Sequence, residues 1–296
     1  MKHEYSDNNG IRLHYVTQGS GEPIVFLHGF CEYWGVWKKY LADFSKDHQA
    51  VAVDMRGYNL SSRPKGVENY RIELLVEDLR ALTQHLGGRK LTLVCQDWGA
   101  LLGWSFALRH QDLVRRFVTF NIPHPALFNR ELRENPKQQQ FSAYMVGFRH
   151  PGAADGLMAN DFAINRSLMF DVARKHGAQL SDEDIAEWVA TWSRDAFDAQ
   201  LNYYRATRIG PPDGQGTPGG SLLLEGVPEA QWKTRFPVLM LWGERDPFIH
   251  EGGLNGMEQL VPDYTLHRVP DTTHWLLMEK PDVSIRHIRD FIAQKR

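Results

Sequence analysis

Short unbroken apolar runs alternate along the chain with stretches whose apolar residues recur at three- and four-residue spacing. The runs are Ile24–Leu27, Ala50–Val53, Leu91–Val94, Phe117–Phe120 and Val238–Trp242. Runs of this length without polar alternation predict strands buried on both faces of a parallel sheet. Ahead of them, Glu4–Ser6 and Ile11–Thr17 flank Asn8-Asn9-Gly10, and an Asn-Gly pair between extended segments predicts a hairpin. Between the runs, Ile72, Leu75, Leu79, Leu82 and Leu86 mark one face of a helix that Gly87-Gly88 ends. Ala100–His110 predicts a second helix directly after a strand. A last helix starts near Pro281, with Val283, Ile288, Phe291 and Ile292 facing inward. Strands alternating with helices predict an α/β fold, a mostly parallel sheet flanked by helices.

The alternation fails between about Leu127 and Val227, where helical patterns occur without a convincing strand. One helix is well marked. Ser181 stands as N-cap with Asp184 three residues on, followed by Ile185, Trp188, Val189 and Trp192 on one face. The acidic run Asp182-Glu183-Asp184 complements its dipole, and Trp188 and Trp192 read as packing within the helical region. Gly210–Gly220 carries too many glycines and prolines for regular structure. The predicted organisation is a core of residues 1–127 and 228–296 with a helical lid, residues 128–227, inserted into it.

Composition narrows the classes. At 296 residues the chain suits one core with a large insertion. A formal net charge of -2 gives no field to gather nucleic acid or an acidic membrane surface. No apolar run approaches the roughly 20 residues that span a bilayer, and the N-terminus shows no secretory pattern. Two cysteines, Cys31 and Cys95, make no disulfide framework and read as buried small hydrophobes. The expectation is a cytoplasmic protein without metal or organic cofactor, with monomer and homodimer both open. Nine tryptophans suggest a pocket or lid lined with rings.

The chemistry sits in Leu91–Trp104, LTLVCQDWGALLGW. A strand runs through Cys95-Gln96-Asp97-Trp98-Gly99 straight into a helix. Such a turn, with small residues at Cys95 and Gly99, pushes the central side chain out at the top of the sheet. The residue there is an aspartate. Already ionised at neutral pH, it needs no base for a first attack on saturated carbon. The resulting alkyl ester must then be hydrolysed, and that step needs a general base. Asp246, just past the strand in VLMLWGERD, and His274, in the loop of LHRVPDTTH, follow in the order nucleophile, acid, histidine. Glu244 and Asp271 are the other nearby carboxylates. Oxyanion donors are expected from the backbone N–H of Trp98 and, within His28-Gly29-Phe30-Cys31, from Phe30. His28 is expected to shape its loop through hydrogen bonds.

Over nearly its whole length the chain resembles the epoxide hydrolase branch of the α/β-hydrolase fold. His28-Gly29-Phe30 with Glu32 and Trp37, Asp54-Met55-Arg56-Gly57-Tyr58 with Ser61-Ser62 and Pro64, Gln96-Asp97-Trp98-Gly99, Asn121-Ile122-Pro123-His124-Pro125 and His274-Trp275 carry the resemblance. It implies two lid tyrosines that donate to the epoxide oxygen. Asn202-Tyr203-Tyr204-Arg205 puts one at Tyr204; Phe141-Ser142-Ala143-Tyr144, ahead of Pro151-Gly152, puts the other at Tyr144. Adjacent helical residues diverge by about 100 degrees, so only one of Tyr203 and Tyr204 is expected to face the pocket. Two positions depart from the family: Cys31 stands where proline is usual and Thr273 where glycine is common. The implied reaction converts a small apolar organic epoxide and water to a diol. The rival reading is a haloalkane or haloacid dehalogenase with the same nucleophile. Related haloalkane enzymes often have Asn where Phe30 stands, and fluoroacetate dehalogenases usually have Arg where Trp98 stands. A non-catalytic ligand-binding protein of the same fold is the third reading.

Overall fold

The computed structural model describes residues 1–214 and 216–294. Eight strands form one sheet: β1 (Lys2–Asn8), β2 (Ile11–Gln18), β3 (Glu22–Leu27), β4 (His48–Val53), β5 (Leu91–Gln96), β6 (Val114–Phe120), β7 (Val238–Gly243) and β8 (Tyr264–Val269). Their order is β1-β2-β4-β3-β5-β6-β7-β8, with β1–β2 and β2–β4 antiparallel and every other pair parallel. This is an α/β architecture, a mostly parallel sheet flanked by helices. Every residue of β5 and β7 is buried, which is why their sequences carry no alternation. The hairpin closes at Asn9 and Gly10, both at positive φ.

Strand β3 pairs with β4 on one side and β5 on the other, so connections leave it in opposite directions and a crevice opens beyond the carboxyl ends. The helix after β5, Asp97–Arg109, is buried from Trp98 to Leu108, so the turn before it is anchored in the core. This helix begins at Asp97 itself, three residues earlier than the apolar pattern places it.

Between β6 and β7 the described residues form helices and no named strand. Helix Pro125–Glu134 crosses the boundary placed at residue 127, so no break separates core from insertion there. The capping box at Ser181 and Asp184 is formed, starting helix Asp182–Val189. Within Ala153–Asn165, Asn160, Asp161 and Phe162 are all left-handed, and Arg166–Asp171 forms a π-helical turn. The described part of 210–220 is irregular apart from a bridge between Gly210 and Gly220; Gln215 lies outside the described residues.

The segment after β4 binds sheet to insertion. Arg56 Nε and Nη2 each donate to Asp78 at 2.7 Å, and the Arg56 carbonyl accepts from Tyr203 Oη at 2.7 Å. Among the described residues, no helix is long and apolar enough to cross a membrane.

Candidate active site

Asp97 sits where β5 gives way to its helix, at φ 48, a left-handed conformation that is uncommon outside glycine and that asparagine and aspartate enter more readily than other side chains. Two glycines make room for that turn. A Cβ on Gly99 would lie 2.3 Å from the Leu27 carbonyl oxygen, and one on Gly29 would lie 2.6 Å from Asp97 Cβ. The strain leaves the carboxylate at the pocket floor, with its side chain about one-sixth exposed at 17%.

Its oxygens have different partners. Phe30 N–H donates to Oδ1 at 2.7 Å, and the Trp98 backbone N–H also hydrogen-bonds the carboxylate. Oδ2 lies 3.3 Å from His274 Nε2. The other imidazole nitrogen, Nδ1, is 2.7 Å from Asp246 Oδ2. Burial works to raise the Asp97 pKa, but His274 and the backbone donors outweigh it and hold it below the ordinary value. Burial works to lower the His274 pKa, and Asp246 together with Asp97 overrides it, raising it well above the usual imidazole range.

Asp246 is fixed from several elements. Its Oδ1 accepts from the N–H groups of Phe248 at 2.7 Å and Ile249 at 3.0 Å, while Asn121 donates to Oδ2 beside His274. Asn121, left-handed at the end of β6, also accepts from the Gly243 N–H at 2.7 Å, so it ties β7 to the acid that follows it. Neither Glu244 nor Asp271 takes this place: Glu244 faces Arg268 and Asp271 pairs with Arg245. His28 is buried, with Nδ1 bonded to the Gly29 carbonyl and Nε2 accepting from Met55 N–H, and burial lowers its pKa.

From the insertion, Tyr204 and Tyr144 reach the same pocket. Their ring centroids are 6.4 Å apart, and their phenols interact. Burial pushes both phenols well above the ordinary value, which keeps them protonated. Tyr203 turns away to the Arg56 carbonyl, so the two neighbours divide between gripping the core and facing the cavity. Phe30, Phe148, Phe248 and Trp275 supply further aromatic wall, and the half-exposed Ile164 and Leu168 form an aliphatic rim. A cavity of about 200 Å³ walled this way favours a small apolar organic molecule with one reactive polar centre.

Sequence reasoning assigned no role to several groups here. Glu32 borders the cavity, accepts from Gly29 N–H at 2.6 Å, and is pushed up to about 8 by burial. It is thus largely neutral at neutral pH and adds no second negative charge beside Asp97. Gln96 Oε1, at the pocket wall, is buried without a hydrogen-bond partner among the described residues. The position before a nucleophile is a signal for the latter; the former and Asn121 lie in motifs that carry the family resemblance, which by themselves assign them no role. Thr273, a departure from the family, is clasped by Glu279, whose carboxylate accepts from its N–H at 2.7 Å and from its hydroxyl. Cys31, the other departure, has φ 51, which a proline ring locked near −65° could not adopt. Its carbonyl accepts from both Trp188 and Trp192 indoles, so those tryptophans reach beyond packing in their own helical region. Among the described residues, no group of three or more His, Cys, Asp or Glu side chains is arranged to hold a metal ion.

Comparison with known proteins agrees with this architecture. The α/β-hydrolase fold family matches residues 22–281. Epoxide hydrolase 3 of Xenopus tropicalis is 33% identical over 97% of this chain and 76% of its own. Epoxide hydrolase 2 of Caenorhabditis elegans is 28% identical over 99% of this chain and 80% of its own. Among solved structures, an epoxide hydrolase from Bacillus megaterium in complex with an inhibitor is 36% identical, covers 98% of this chain and 100% of its own, and superposes with a TM-score of 0.90.

Proposed function

Because the chain belongs to the epoxide hydrolase branch of the α/β-hydrolase family, we propose that it hydrolyses an apolar epoxide to a vicinal diol through an ester on Asp97, beneath a lid formed by residues 128–227. The observation that carries this reading is one carboxylate facing three kinds of group: oxyanion donors at Oδ1, an imidazole at Oδ2, and two phenols across the cavity.

Each group has a step. With Oδ1 pinned by Phe30, Oδ2 attacks an epoxide carbon and the ring C–O bond breaks. Tyr144 and Tyr204 hydrogen-bond the ring oxygen and supply the proton it takes up. Once Asp97 is esterified, His274 Nε2 removes a proton from water and the hydroxide adds to the ester carbon. The Phe30 and Trp98 N–H groups stabilise the oxyanion. Collapse expels the diol oxygen, which takes its proton from His274; the proton left on Asp97 returns to the phenolate. Asp246 orients and stabilises the imidazolium throughout.

The test is product analysis with styrene oxide and a bromoalkane. Styrene diol without bromide release is expected. Bromide release without diol would make the protein a dehalogenase, and a folded protein inert to both would point to a ligand binder.

The tyrosines make a separate prediction. Tyr144→Phe and Tyr204→Phe should each slow ester formation by about 10- to 100-fold, since each removes one donor to the ring oxygen. Decay of a preformed ester should be little changed. Single-turnover kinetics separates the two steps, and equal slowing of both would remove the phenols from ring opening.

A further inference from the structure

Two indoles on one carbonyl are an unusual concentration of donors, and the carbonyl belongs to the turn that carries an oxyanion donor. Glu32 N–H donates to the Gly29 carbonyl at 3.3 Å, closing a turn with Phe30 and Cys31 at its centre. Cys31 occupies the left-handed region at φ 51, where glycine or asparagine is favoured. The Trp188 and Trp192 indole N–H groups each donate to its carbonyl oxygen at 2.8 Å, using both lone pairs. All three residues are buried. The tryptophans are fixed in turn: Phe170 stacks on Trp192 with centroids 5.7 Å apart, and Tyr33 meets Trp188 edge-on at 5.5 Å. Neither tryptophan lines the cavity.

We propose that Trp188 and Trp192 are positioning residues that latch the oxyanion turn, so that seating of the lid aims the Phe30 N–H at Asp97. Relaxing Cys31 to a right-handed conformation would swing its carbonyl away from both indoles and rotate the adjoining peptide, whose other neighbour is Phe30. The latch opposes that rotation. It couples lid and core through one hydrogen-bonded atom, the Cys31 carbonyl oxygen. The inference deepens the epoxide hydrolase reading and rests on it.

The hydrolytic step depends most on the oxyanion donors, so that step should report the latch. Trp188→Phe and Trp192→Phe keep a packed ring but remove the N–H. Each should slow decay of the Asp97 ester about 10-fold, and the double variant about 100-fold, while ester formation changes by less than about threefold. Ester should therefore accumulate in the steady state, lowering KM together with kcat. Adding Cys31→Gly to the double variant should restore most of the decay rate, because glycine adopts positive φ without a latch. Formation and decay slowed in parallel, or no rescue by glycine, would reduce the tryptophans to packing and overturn the proposal. Circular dichroism establishes folding, and if the double variant does not fold, each single variant with and without Cys31→Gly gives the same comparison. Wild-type protein is run beside them with styrene oxide: absence of any diol there would overturn the epoxide reading itself.

Discussion

Replacing Asp97 by alanine should abolish diol formation, lowering kcat by about 10⁴-fold or more, as loss of a nucleophile does in other covalent hydrolases. No second group stands ready. Glu32, the neighbouring carboxyl, is pushed up to about 8 and is held by the Gly29 N–H, so it is largely neutral at neutral pH. The Cys31 thiol is raised well above its ordinary pKa by burial and is no better a nucleophile. Product analysis after prolonged incubation, with intact-protein mass spectrometry for an adduct, measures this. Residual diol formation within a hundredfold of wild type would mean that water attacks the epoxide directly and that Asp97 is not the nucleophile.

The second large effect separates the two halves of the reaction. His274→Gln should leave alkylation of Asp97 in place and slow ester hydrolysis by about 10³- to 10⁴-fold, the scale expected for a lost general base. Incubation with styrene oxide should then give a stable protein adduct heavier by one substrate molecule, located on the peptide that carries Asp97. Rapid turnover without an adduct would exclude His274 as the base. The pH dependence has a definite sign. The resting imidazole is held protonated by Asp246 and Asp97, which overcome the lowering effect of burial. Esterification removes the Asp97 charge, so the imidazole pKa falls when a base is needed. Ester decay should rise with pH as His274 loses its proton. Ester formation should persist to lower pH, because the Asp97 pKa is lowered.

The sheet was legible because parallel strands buried on both faces leave unbroken apolar runs, as in β5 and β7. Asp97, Asp246 and His274 were legible because each lies just beyond a strand end in a fixed order, and the structure brings them into one hydrogen-bonded line. Tyr204 came from a motif, and the structure places it in the cavity with Tyr144. Other features depend on contacts that no local pattern carries. Asn121 meets Asp246 across 125 positions of chain, and Trp192 meets Cys31 across 161. The helix boundary at Asp97 was missed because its N-cap, Gln96, makes no side-chain capping bond and the elbow begins the helix without one of the usual signals. The left-handed run Asn160–Phe162 and the following π-helical turn have no glycine or proline to announce them.

The left-handed backbone at Asp97 sets thermal robustness against chemistry at a single position. Glycine there would shed the strain, and asparagine would tolerate it better than most residues, while neither keeps the ionised oxygen. A library ranked only by melting temperature would enrich variants at this position that fold well and do nothing. Selection for a sturdier form of this protein therefore has to hold residue 97 constant and seek its gains elsewhere in the chain.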